Sequence, residues 1–134
     1  VEEPDVVSKL QSDSAPVSAS PLELRSVRFV GKGNGLELHS GELAKVVVEV
    51  YNNTPEYMYN VKPMVMETSG NKHVFVSAPI IVEKIAPGKG IRYTAMVKAD
   101  KKLKDGKVHF TVCAQESAQL RKSEIREFDV TTIR

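Results

Sequence analysis

Short apolar runs with a period of two recur along this chain, separated by clusters of turn-forming residues. The clearest run is Ala44-Lys45-Val46-Val47-Val48-Glu49-Val50-Tyr51. Ala44, Val46, Val48 and Val50 fall on one face, and Lys45, Val47, Glu49 and Tyr51 on the other. β-Branched side chains lose rotamer freedom in a helix and pack well on a pleated surface, so these valines specify a strand. Gly41-Glu42 precedes it as a turn and Asn52-Asn53-Thr54-Pro55 ends it. The other apolar runs are of the length and phase expected of strands that pack around this one.

Leu22–Val30 is the first strand expected, with a slip of phase near Arg25-Ser26 that a bulge or a switch between sheets would produce. Gly31-Lys32-Gly33-Asn34-Gly35 is a turn, and Leu36-Glu37-Leu38 a short edge strand. Tyr57–Met66 follows, with Tyr59, Val61, Pro63 and Val65 alternating against Met58, Asn60, Lys62, Met64 and Met66. Pro63 cannot donate a ladder hydrogen bond, which predicts an edge or a bulge there. Thr68–Asn71 is a turn; His73–Val76 and Pro79–Ile85 are short strands. Ala86-Pro87-Gly88-Lys89-Gly90 suits a type II turn, with Pro87 and Gly88 at its centre. Two alternating runs, Ile91–Lys98 and Val108–Gln115, flank a lysine-rich loop. A polar connection over Glu116–Ser123 leads to a closing strand, Glu124–Ile133.

Seven to eight one-sided strands, turns between them and no long helix predict an all-β fold, an immunoglobulin-like Greek-key β-sandwich. Residues 1–20 differ. Serine, alanine and proline dominate, acids cluster at Glu2, Glu3 and Asp5, and no period is sustained. Such a segment buries too little to offset its ordering entropy, so a flexible leader or tether over 1–20 and a sandwich domain over 21–134 are expected. The chain opens on Val1, and any export signal is expected upstream of it.

Composition narrows the function. Aromatics make up 6% and Trp is absent, which weakens readings that need stacking platforms for sugars or single-stranded nucleic acid. A net charge of +2 does not call for a polyanion, and no nucleic-acid partner is expected. No run approaches the ~20 apolar residues of a membrane span, so membrane association is expected only through an upstream anchor. A single cysteine, Cys113, rules out an internal disulfide.

Four features occur in order: Gly41-Glu42 before a valine-rich strand, Asn52-Asn53 at its end, Ile85-x-Pro87-Gly88 before a later strand, and Leu103-x-Asp105-Gly106-x-Val108-x-Phe110. Together they resemble the immunoglobulin-like adhesion and accessory modules of bacterial exported proteins, the CARDB-like group in particular, over about Leu22 to Ile133. The resemblance implies attachment, spacing or partner binding, and supplies no catalytic residues.

Local chemistry is sparse. His39, His73 and His109 lie in separate segments, and His109 and Cys113 are ~13 Å apart along one strand, too far to share a zinc ion. Cys113 has no activating signature around it, so a structural thiol is expected. Gly31-x-Gly33-x-Gly35 and Gly88-Lys89-Gly90 lack phosphate-loop spacing and a following helix, and are taken as hairpin turns. Glu67 and Glu83 could meet across strands, but nothing pairs them as a glycosidase requires. No catalytic residue, cofactor or metal is expected. Asn52-Asn53-Thr54 fits a glycosylation sequon.

Two features suit contact with a partner. Lys98, Lys101, Lys102, Lys104 and Lys107 crowd one loop; Tyr57 and Tyr59 stand beside Met58, with Met64 and Met66 beyond. The expected binding residues are therefore Lys101, Lys102, Lys104, Lys107, Tyr57 and Tyr59. They would serve a non-catalytic, extracytoplasmic bacterial binding or structural module that contacts a protein or envelope polymer by loop tips or a strand edge. A carbohydrate-binding module, marked by a flat face of Tyr51, Tyr57 and Tyr59, is one alternative. An accessory domain of a larger cell-envelope enzyme is the other.

Overall fold

The computed structural model describes residues 21–33, 35–116 and 121–134. The leader expected over residues 1–20 lies outside the described residues. Within them nine strands form two sheets: β1 (Leu22–Val30), β2 (Glu37–His39), β3 (Leu43–Asn52), β4 (Met58–Glu67), β5 (Val74–Val76), β6 (Val82–Ile85), β7 (Gly90–Ala99), β8 (Gly106–Glu116) and β9 (Arg126–Ile133). One sheet has the order β1-β3-β7-β5 and the other β2-β9-β8-β4-β6. The first is the A-B-E-D order of an immunoglobulin domain. The pairing of β2 with β9 is parallel, and the other strand pairs are antiparallel. The fold is an all-β immunoglobulin-like sandwich, with β2 as a short edge strand.

The core forms where the inner faces meet. Ala44, Val46, Val48 and Val50 of β3 are buried, as are Val108, Phe110, Val112 and Ala114 of β8. Full burial of a side chain such as Phe110 stabilises the sandwich by about 1.5–3 kcal/mol. Phe110 lies 5.4 Å from Phe128 and 6.3 Å from Phe29 between ring centroids, which joins β8, β9 and β1.

Several local expectations hold. The register of β1 shifts between Leu24 and Ser26, where the phase slips. Gly88 has φ +70° and the Lys89 N–H donates to the Ala86 carbonyl at 3.1 Å, as the type II turn requires. Pro63 pairs with Ala114 on β8, while β6 covers β4 only as far as Val61. Its missing donor therefore falls on an uncovered stretch of edge.

Others are corrected. The Gly31–Gly35 and Gly88–Gly90 turns are not hairpins: the first takes the chain from one sheet to the other, and so does the second. Among the described residues only β8 and β9 are consecutive strands that pair. The alternation expected for β4 also fails at its start. Met58 is fully buried and Tyr59 is 50% exposed, the reverse of the simple phase. Asn60, at φ 55°, resets it so that Val61 again points inward. Asparagine tolerates this left-handed backbone better than most residues. Glu67 and Glu83 do not meet. Glu67 accepts from the Ser69 N–H at 2.8 Å and caps the Thr68–Asn71 turn, at the end of β4 away from β6.

Candidate functional site

Two polar residues continue the inward phases of the core strands and build one end of the sandwich. Asn52 follows Val50 on β3 and is fully buried. Its amide nitrogen donates to the carbonyls of Glu56 at 2.7 Å and Ile85 at 2.9 Å. Its side-chain oxygen accepts from the N–H of Thr54 at 2.9 Å and the Thr54 hydroxyl at 2.7 Å. All four valences of the amide are used, so burial leaves none unsatisfied. This amide ties the turn after β3 to the end of β6. The sequon asparagine is thus a buried structural group, closed to a glycan.

Glu116 follows Ala114 on β8 and is 1% exposed. Arg121 Nε and Nη2 donate to its two oxygens at 2.7 and 3.0 Å, and the Tyr59 N–H adds a third bond at 3.2 Å. The Arg121 bond holds the Glu116 carboxyl below its ordinary pKa; burial opposes that shift and the Tyr59 N–H reinforces it. Arg121 also lies 3.6 Å from Glu56, in the turn between β3 and β4. A doubly bonded guanidinium fixes orientation as well as charge.

Tyr57 and Tyr59 stand on this support. They are 46% and 50% exposed, their rings lie 22° from parallel with centroids 6.2 Å apart, and Lys84 Nζ is 5.8 Å from the Tyr57 ring centre. The result is an exposed aromatic pair on a backbone pinned by a buried ion pair, with Lys84 beside it. Tyr51 does not join it. It belongs to β3 in the other sheet, where Arg25 lies 3.9 Å from its ring centre. The three-tyrosine face expected of a carbohydrate module is not assembled.

The basic loop sits at the opposite end. Tyr59 lies near Glu116 at the close of β8, and Gly106 opens it, about 33 Å away along the strand. Leu103, fully buried, pins the loop into the core. Asp100 organises it: its Oδ1 accepts from the Lys102 N–H at 2.8 Å, and its Oδ2 lies 3.0 Å from His73 Nδ1. The His73 bond is the main reason that the Asp100 carboxyl sits below its ordinary pKa. Lys101, Lys102, Lys104 and Lys107 are exposed. Lys98, at the near end of the loop, belongs to the four-stranded sheet, whereas Lys107, at its far end, belongs to the five-stranded one.

Two further titratable groups lie outside the expected sites. His109 is clamped by Asp129 at 2.7 Å and Glu127 at 2.7 Å, and these bonds, Asp129 first, raise its pKa above 6.5. Cys113 is half-buried, and burial pushes its thiol up, opposite to what a nucleophile needs. Among the described residues no group of three His, Cys, Asp or Glu is placed to hold a metal ion.

No protein-family model matches the chain, and no curated protein matches it by sequence. Solved structures do. A CARDB domain from Pyrococcus furiosus is 14% identical, with a TM-score of 0.57 over 87% of this chain and 98% of that one. The chain has a CARDB-like fold. The C-terminal domain of wzt is similar at 7% identity and a TM-score of 0.63, over 86% of this chain and 75% of that one. Trypsin-activated α2-macroglobulin from Escherichia coli is similar at 12% identity and a TM-score of 0.58. That match covers 86% of this chain but only 7% of the macroglobulin, so the likeness is to one domain of a far longer protein. At these identities the likeness establishes the fold, and sandwiches of this kind host many functions.

Proposed function

We propose that this domain is a non-catalytic, extracytoplasmic binding module that engages a protein partner through the Tyr57–Tyr59 end. The carrying observation is the pinned aromatic pair. Exposed tyrosines on a backbone already fixed by Glu116 at Tyr59 leave less to order on binding, and Tyr is enriched where partners meet. Lys84 and Glu56 supply a charged rim. The Lys101–Lys107 loop, at the far end, would serve as a second contact. The Ser/Ala/Pro-rich composition of residues 1–20 and the CARDB-like fold support a tethered module outside the cytoplasm.

The test is affinity capture from envelope extract by three folded proteins: the wild type, Tyr57→Ala/Tyr59→Ala, and Lys101→Glu/Lys102→Glu/Lys104→Glu. A partner kept by the lysine variant and lost by the tyrosine variant is expected. Equal capture by the wild type and the tyrosine variant would overturn the reading.

A further inference from the structure

The outward face of the four-stranded sheet segregates charge in a way that the net charge of +2 conceals. Register places its side chains in rows. At the loop end, Leu43 stands beside Lys98 and Lys98 beside Phe75. In the next row Val30 stands beside Lys45 and Lys45 beside Met96. In the third, Arg28 stands beside Val47 and Val47 beside Thr94. No carboxylate occupies an outward position in these rows. Two carboxylates flank them, each already engaged: Glu49 lies 3.2 Å from Arg92, and Asp100, two residues beyond Lys98, has its Oδ2 3.0 Å from His73 Nδ1. Leu43 is 59% exposed, Phe75 53%, Val30 42% and Met96 36%. Lys101 borders the same end, its Cγ 3.7 Å from where a Cβ on Gly41 would lie.

Lysines between exposed apolar side chains, with no acid among them, suit one surface better than others. Lysine is depleted from protein–protein interfaces. At a bilayer its stem lies on the apolar boundary while its ammonium reaches the headgroups. We infer that this face docks on an anionic lipid bilayer: Leu43, Phe75 and Met96 enter the headgroup boundary, and Lys45 and Lys98 contact the phosphates. Among the described residues no helix is long and apolar enough to cross a membrane, and the contact inferred is with the surface. This departs from the expectation of membrane association only through an upstream anchor, and it does not depend on the tyrosine reading.

The experiment is co-sedimentation of the full chain with equimolar phosphatidylglycerol–phosphatidylcholine vesicles and with pure phosphatidylcholine vesicles. Binding to the anionic vesicles alone is expected. It should vanish at about 1 M salt, where the Debye length is about 3 Å. Lys45→Gln/Lys98→Gln should lower partition about 25-fold, about fivefold for each lysine. Leu43→Ser/Phe75→Ser should weaken binding at low salt, while Tyr57→Ala/Tyr59→Ala should leave it unchanged. Each variant is first checked for wild-type circular dichroism and melting; the exposed positions make unfolding an avoidable confusion. No binding to anionic vesicles, equal binding to neutral ones, or binding untouched by the lysine variant would overturn the inference. So would displacement by polyglutamate together with indifference to Leu43 and Phe75, which would mark an acidic polymer as the ligand.

Discussion

Glu116 offers the sharpest test of how the tyrosine end is held. Glu116→Ala removes three hydrogen bonds and leaves the Arg121 guanidinium, whose side chain is 19% exposed, without its main counter-ion. Removing one member of a buried pair costs about 3–5 kcal/mol. Arg121 can turn partly towards water, and Glu56 remains 3.6 Å away, so the lower end applies, about 3 kcal/mol. For a domain of this size that lowers Tm by about 12 °C. Glu116→Gln keeps an acceptor for the Tyr59 N–H but loses the charge, and should cost about 1.5–2 kcal/mol. Urea unfolding at neutral pH, followed by circular dichroism with the m-value checked, measures both. The pH dependence adds a second constraint. The folded-state pKa of Glu116 is depressed from 4.5, so its contribution is complete above that value and is lost as pH falls through the folded-state pKa. The gap between wild type and Glu116→Gln should therefore close in acid. A cost below about 1 kcal/mol for Glu116→Ala, or a gap that stays constant into acid, would refute the reasoning.

Three further outcomes are expected. NMR titration should find the His109 imidazole above 6.5, falling towards its ordinary value in Glu127→Gln/Asp129→Asn; the clamp stabilises the fold below 6.5 and its contribution is lost as pH rises through the raised value. Gly90→Ala would bring a Cβ within 2.8 Å of the Tyr51 ring, which Arg25 flanks, and should cost about 1–3 kcal/mol in urea unfolding. Asp100→Asn should speed amide hydrogen exchange at Lys102, because the carboxylate that accepts its N–H is replaced by a weaker, neutral acceptor; unchanged exchange would show that this hydrogen bond does not hold the loop.

What the sequence made legible, and what it hid, follows from how far each interaction reaches along the chain. The β3 valines and the Val108–Ala114 series announced buried faces because the period of two is set by the strand backbone itself. The slip at Arg25-Ser26 was visible for the same reason. The slip at Asn60 was not, because a lone asparagine at positive φ leaves no break in composition. Sheet assignment was the larger loss: a turn motif specifies a local reversal, but whether the chain returns to the same sheet depends on residues far away. Hence Gly31–Gly35 and Gly88–Gly90 are legible as turns, but the crossing between sheets that each makes is not. The support of the candidate site did leave a signal. Asn52 and Glu116 each extend an inward-facing series by one step of two, and a polar residue at such a position must find partners inside the fold. That rule would have pointed to both, though not to Arg121, Thr54 or Ile85 as their partners. The extent of the lysine cluster was hidden for a different reason. Five lysines close in sequence look like one patch, but a chain that crosses between sheets, with Leu103 pinned in the core, carries Lys98 and Lys107 on different layers. Proximity in sequence becomes a shared surface only where the chain stays in one layer, so the charge pattern across β1, β3, β7 and β5 required the register before it could be read.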